Sequence, residues 1–241
     1  MNYLYGLLLA VSVFVPLILS FERNLQFYKN WKHLLPSIFT IATIFIIFDI
    51  AFTQKGVWGF NPKYHSAIKI LGLPIEEYLF FVIIPYASIF LHNTITFYFP
   101  HLQLNNRIAQ NITLFLIGIS VIMVIFNSEK AYTSYAFTMF GLVLLISIFG
   151  NNGLMNRFYL TFLLILIPFM MVNGILTGSL IGEPVVWYNN SENLGIRIIT
   201  IPIEDVFYGF SLIAAVLLLS DILKVRYYGK QLANTDEHVE K

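Results

Sequence analysis

Cysteine is absent from the 241-residue sequence. That excludes disulfides, thiol nucleophiles, thiolate metal sites and iron–sulfur clusters, so any chemistry falls to oxygen and nitrogen groups. Charge is scarce too. Only 11% of residues are Asp, Glu, Lys or Arg, less than half the roughly 25% of an ordinary soluble domain. With a net charge of +1 and basic residues scattered through short connections, the basic stripe that nucleic acid requires is missing, which excludes that partner. His65, His92 and His101 show no metal-ligand spacing, so no metal is expected. No aspartate-rich cluster stands ready for magnesium and diphosphate, which argues against a membrane prenyltransferase.

What the chain has instead is apolar length. Hydrophobic residues make up 58% of it, more than a water-soluble fold could hide. A spanning helix needs about 20 mostly apolar residues. Runs of that kind lie at 3–21, 34–52, 78–99, 112–126, 135–149, 158–181 and 206–223, the fourth and fifth being the shortest. The expectation is an all-α polytopic membrane protein of about seven transmembrane helices. The first run lacks a basic leader and a small-residue cleavage pattern, so it reads as a mature helix rather than a signal peptide. Residues 1–228 read as one membrane domain and 229–241 as a polar, disordered tail. Eight basic residues on one side (Arg23, Lys29, Lys32, Arg107, Arg157, Lys224, Arg226, Lys230) face five on the other (Lys55, Lys63, Lys69, Lys130, Arg197). Cytoplasmic connections are enriched in lysine and arginine, so the amino terminus is expected outside and the carboxyl terminus in the cytoplasm.

Internal repetition is the most informative feature. Leu73-Pro74-Ile75-Glu76-Glu77-Tyr78-Leu79-Phe80 reappears as Ile201-Pro202-Ile203-Glu204-Asp205-Val206-Phe207-Tyr208, with Glu76 and Glu204 separated by 128 positions. Upstream, Phe48-Asp49 and the Trp58-Gly59-Phe60-Asn61 loop precede the first copy. Val172-Asn173, Leu176-Thr177 and Trp187-Tyr188-Asn189 precede the second. This predicts two three-helix repeats, about 1–100 and 132–228, with a joining helix at about 108–128. Both acidic motifs then open helices on the same side of the membrane, and parallel repeats place a shared site between the halves.

Proline followed by carboxylates is sound helix-start chemistry in its own right. Two copies in segments otherwise poor in charge point further, because ionisable groups at membrane depth are costly and usually mark a site. Adjacent helical residues differ by about 100°, so one acid of each pair should face inward while its neighbour meets the loop. An acid sequestered among apolar groups can keep its proton near neutral pH and hand it to a carbon–carbon double bond; a second carboxylate can remove the proton that ends the reaction. Asp49, within an apolar helix, and Asn173 are polar enough to belong to the same site, and Arg197 could hold a carboxylate bidentately. Trp58, Phe60, Phe80, Phe207 and Tyr208 could line a cavity whose ring faces attract a cation. A proton-coupled transporter would use buried carboxylates and repeated halves equally well, with Pro85 and Pro168 as candidate helix breaks. A retinal-binding receptor is disfavoured, since 206–223 contains no lysine.

The paired Pro-x-Glu-Glu and Pro-x-Glu-Asp motifs, Pro74 to Glu77 and Pro202 to Asp205, resemble those of the integral-membrane lycopene cyclases, in the fused form of the two-subunit type. The Trp58 to Asn61 loop, the Asn173 to Thr177 segment and Gly195-Ile196-Arg197 fit the same pattern, and the likeness covers about residues 3–227. The resemblance implies closure of the linear ends of lycopene to β-ionone rings, giving β-carotene through γ-carotene. Glu76, Glu77, Glu204 and Asp205 would be the catalytic residues. The route is an isomerisation without net redox change, so no cofactor is implied, in agreement with the lack of the Gly-rich dinucleotide fingerprint of flavin-containing cyclases. The implied surroundings are a carotenoid drawn from the lipid of a cell inner membrane, with homo-oligomers or association with other carotenoid enzymes.

Overall fold

A computed structural model of the chain describes residues 3–150 and 152–239. Seven helices carry it: α1 Leu4–Leu19, α2 Trp31–Gln54, α3 Ile75–Tyr98, α4 Asn106–Phe126, α5 Ala131–Phe149, α6 Asn152–Leu176 and α7 Glu204–Val239. Six of them are long and apolar enough to cross a membrane, and the architecture is an all-α polytopic membrane fold. The exception is α1. Its 16 residues reach about 24 Å at the helical rise, short of a hydrocarbon core of about 30 Å. Its apolar run is cut because the chain turns at Ser20, whose hydroxyl meets the Tyr86 hydroxyl at 2.5 Å. The Glu22 carboxylate then collects the backbone N–H groups of Asn24 and Leu25.

Other helix ends differ from the apolar runs for local reasons. Helix α4 begins at Asn106 rather than 112, since the Asn105 side chain accepts from the Ile108 N–H at 2.8 Å, a side-chain N-cap that a hydropathy window does not see. Helix α5 likewise begins at Ala131 rather than 135. Helix α6 starts at 152 through polar Asn156 and Arg157 and stops at Leu176, where Gly178 takes up a φ of 115°. Helix α7 keeps its helical backbone through Val239, which takes in most of the segment expected to be a disordered tail; Gly229 is the single poor helix former before Lys230-Gln231-Leu232-Ala233. Residues 240–241 lie outside the described residues. Pro16, Pro36, Pro85 and Pro168 sit inside helices that continue through them, as membrane helices allow.

Six short strands decorate the end of the bundle where α1, α3, α5 and α7 begin. Three antiparallel pairs form: β1 Trp58–Phe60 with β4 Val186–Tyr188, β2 Lys69–Ile70 with β3 Leu73–Pro74, and β5 Arg197–Ile198 with β6 Ile201–Pro202. The β2–β3 and β5–β6 hairpins are the same object 128 residues apart, down to left-handed backbone at Leu71 and Ile199 in their turns. The β1–β4 pair joins the two halves. Its register, Trp58 to Tyr188, Gly59 to Trp187 and Phe60 to Val186, is what a pseudo-twofold axis through Gly59 and Trp187 demands, since residues 58–60 correspond to 186–188. Helices α1–α3 and α5–α7 are therefore the repeated units, and α4 is the joining element.

Glycine is required on that axis. A Cβ on Gly59 would lie 2.4 Å from the Trp187 ring, so the strands can approach only without one. Gly59→Val should overpack the junction at a cost of about 1–3 kcal/mol. The measurement is the thermal unfolding midpoint in detergent together with the tryptophan emission of Trp58 and Trp187; an unchanged midpoint and spectrum would count against this role.

Candidate active site

The two acids of each motif part company at the helix start, as a 100° step around the helix requires. The first acid turns to the loop. Glu76 accepts from the Ser66 N–H at 2.7 Å and from its hydroxyl at 3.1 Å. Glu204 accepts from the Leu194 N–H at 2.7 Å and from the Thr133 hydroxyl at 2.7 Å. In both repeats the bond reaches back ten residues to the strand-bearing loop, so Glu76 and Glu204 fasten each hairpin to the helix it precedes. Both are buried, and the Oε2 atom of Glu204 makes no hydrogen bond among the described residues.

The second acid of each pair turns inward. Glu77 and Asp205 line one chamber together with Asp49 from α2. Glu77 accepts from the Tyr5 hydroxyl of α1 at 2.5 Å. Asp49 Oδ1 accepts from the Trp58 indole N–H at 2.6 Å and from Thr53 at 3.3 Å. Its Oδ2 is buried and makes no hydrogen bond among the described residues, while the Glu77 carboxyl is its interacting neighbour. Asp205 is held quite differently. Its Oδ1 accepts from the Tyr132 hydroxyl, and its Oδ2 accepts from Asn173 Nδ2 at 2.7 Å and from the Tyr188 hydroxyl at 3.1 Å. Three donors from α5, α6 and β4 thus converge on one carboxyl, whereas Asp49 and Glu77 face each other. Tyr188, outside the spanning segments, has its phenol pushed well above the usual range, first by burial and then by the Asp205 charge beside it; it remains a donor throughout the ordinary pH range.

The rest of the wall is aromatic and aliphatic. Trp58, Phe60, Phe80, Phe81, Tyr132, Phe169, Tyr188 and Tyr208 all line the chamber. Tyr132 stacks on Tyr188 with centroids 5.7 Å apart, and Trp58 meets Tyr132 edge-on at 5.1 Å. Among the described residues no lysine, arginine or histidine lines it. Nor do three His, Asp or Glu side chains there lie where they could hold a metal ion together. The arrangement can donate a proton, accept a proton and surround a cation with ring faces.

Two residues expected near the carboxyls are elsewhere. Arg197 does not grip an acid: its guanidinium donates to the Thr200 carbonyl and to Asn190, both at 2.7 Å, and lies over the outer face of Tyr188, because β5 aims it back into its own hairpin. Phe207 packs against Phe137 and Phe140 of α5, because the face of α7 that meets the chamber carries 205, 208, 209 and 212. Conversely, Tyr5, Tyr132 and Phe169 reach the site without having been expected. A signal existed for the tyrosines: each lies in the first turn of the opening helix of its repeat, at nearly equivalent positions.

Fold and site together define a membrane-embedded protein of two parallel three-helix repeats that share an acid-bearing, aromatic chamber. The sequence model of one family, described as lycopene cyclase, matches residues 2–95 and again 129–223, once for each repeat and omitting α4. The chain belongs to the lycopene cyclase family. It has no match among curated proteins or among solved structures.

The split between loop-fastening and chamber acids is measurable. Glu204→Ala should cost about 1–3 kcal/mol, since it leaves the buried Thr133 hydroxyl and the half-buried Leu194 N–H without their acceptor. Glu204→Gln, which keeps an acceptor oxygen and can turn its amide toward the unpartnered side, should unfold within about 1 kcal/mol of the parent. Denaturation in detergent distinguishes the two, and equal losses would contradict the assignment.

Proposed function

We propose that the protein is a lycopene cyclase that closes the ψ-ends of lycopene to β-ionone rings, with Asp49 and Glu77 as the proton-donating pair and Asp205 as the proton acceptor. One observation carries the reading: three buried carboxyl groups from three helices meet in an aromatic chamber that no basic side chain lines. Two carboxyls side by side cannot both ionise cheaply, so such a pair shares a proton. A carboxyl that accepts three hydrogen bonds is, by contrast, solvated as an anion by the protein. The difference in surroundings assigns the roles.

The steps balance. The Asp49–Glu77 pair transfers its proton to the terminal double bond of the substrate and leaves a tertiary cation. The neighbouring double bond attacks that cation to form the ring bond, which moves the positive charge onto a ring carbon among the Trp58, Phe81 and Tyr208 rings that line the chamber. Asp205 then takes the adjacent ring proton, and the electron pair becomes the ring double bond. Product and substrate are isomers, and one proton has passed from the pair to Asp205. Since Glu77 and Asp205 line the same chamber, that proton needs only to cross it for the next cycle. Glu76 and Glu204 act through the loops: they set the height of Trp58 and Tyr188, which bond the carboxyls.

In a lycopene-accumulating host, production of the protein should turn red pigment yellow-orange, with γ- and β-carotene appearing in the extract. Glu77→Gln, Asp205→Asn and Asp49→Asn should each lower cyclisation by at least about 100-fold, the lower end of what positioned acids and bases supply, at unchanged protein level. Glu76→Gln should retain far more activity than Glu77→Gln. Unaltered lycopene beside well-folded parent protein would refute the proposal. Proton-coupled flux of a solute in vesicles would point to a transporter instead.

A further inference from the structure

The carboxyl chamber is small. It encloses about 60 Å³ of free space, room for roughly four to six water molecules, and a long hydrocarbon must have somewhere else to lie. Next to it, between α1, α3 and α6, runs a second cavity of about 380 Å³. Its lining is almost wholly apolar, and its outer wall, with Val11, Val15 and Met171, is exposed on the bundle surface that faces lipid. The hydroxyl of Ser12 is already committed to the Leu8 carbonyl. Along its length stand Pro16, Ala87, Ser88 and Pro168, side chains too short to fill the space between three helices.

The two cavities share a neck. Phe80, Ile84, Phe169 and Asn173 line both, and the same Asn173 donates to Asp205 at 2.7 Å. The inner end of the groove is thus one side chain from the acceptor carboxyl. The pseudo-twofold axis supplies a control within the molecule. In the second repeat, Pro16 and Ser88 correspond to Leu144 and Val216, both fully buried at 0% exposure, and Phe207 fills the remaining space against Phe137 and Phe140. The crevice lies open between α1, α3 and α6, while the equivalent positions of the second repeat are packed.

We propose that the α1–α3–α6 groove is the binding site for the extended conjugated chain of the carotenoid. The chain enters sideways from the bilayer and passes one end through the Phe80–Phe169 neck to the carboxyls. The inference rests on the cyclase reading and adds to it the seat of the polyene. An apolar chain loses about 0.8 kcal/mol for each methylene group moved into water, so a route that never leaves the membrane interior is the one open to it. With a single groove, one end reacts per binding event, and the monocyclic product must withdraw and return reversed.

The test uses the full chain in phospholipid nanodiscs with lycopene, read by initial cyclisation rate and by the circular dichroism that an achiral polyene acquires when a protein holds it. Ala87→Trp on the floor and Val15→Trp on the exposed wall should each lower kcat/KM at least tenfold and abolish the induced signal. Leu145→Trp, on the lipid-facing surface of α5, should leave both unchanged and shows that added bulk alone is tolerated. Glu77→Gln should keep the induced signal without turnover. Groove variants that bind and react like the parent, or a parent that gives no induced signal, overturn the groove. A parent that binds lycopene in a groove-dependent way without closing rings supports the groove and sinks the cyclase reading instead. Should Ala87→Trp lower the unfolding midpoint, the surface variant Val15→Trp decides alone.

Discussion

Everything in this molecule is arranged around carboxyl groups placed where water is scarce and no cation answers them. Burial of an uncompensated charge is among the most expensive acts available to a protein, and in a membrane interior it is reserved for function. Each of the five acids buried among the described residues has met that cost in one of three ways. Glu76 and Glu204 each accept from one loop N–H and one hydroxyl. Asp205 is surrounded by three donors. Asp49 and Glu77 have one another, with Trp58 and Tyr5 as flanking donors. The three solutions put the carboxyls in different surroundings, and the proposed separation of roles rests on that difference.

The hairpins, which at first sight are ornaments on a helical bundle, are the means by which those solutions are held. The β1–β4 pairing holds Trp58 and Tyr188 opposite one another at the pseudo-twofold axis, and each bonds a carboxyl of its own half, Asp49 and Asp205. The fastening of the loops by Glu76 and Glu204 sets the height of the hairpins above α3 and α7. A tandem Glu-Glu or Glu-Asp is in this light one unit with two placements, a brace on the loop followed by a carboxyl in the chamber.

Duplication gave two equivalent halves, and their differences are as telling as the likeness. Asp49 stands beside Glu77, while the corresponding region of the second half offers the neutral amide of Asn173 to Asp205. One half therefore sets two carboxyls side by side, and the other surrounds one carboxyl with three hydrogen-bond donors. The same asymmetry appears in the packing, with an open apolar groove on one side and a filled one on the other.

The sequence by itself determined the membrane character, the helices, the repeat and the five acids, because hydropathy and the 128-residue recurrence are properties of the chain read in order. It determined also that one acid of each pair must face away from the other, since 100° per residue allows nothing else. Which one faces inward was decided only in the tertiary structure, by where the loop N–H groups of Ser66 and Leu194 came to rest. The same holds for Tyr5 and Tyr132, brought to carboxyls 72 and 73 residues away, for Arg197, turned into its own hairpin, and for Phe207, rotated one position off the chamber face. Distance in sequence carries no record of such meetings; they exist once helices pack and the strands that join the two halves pair.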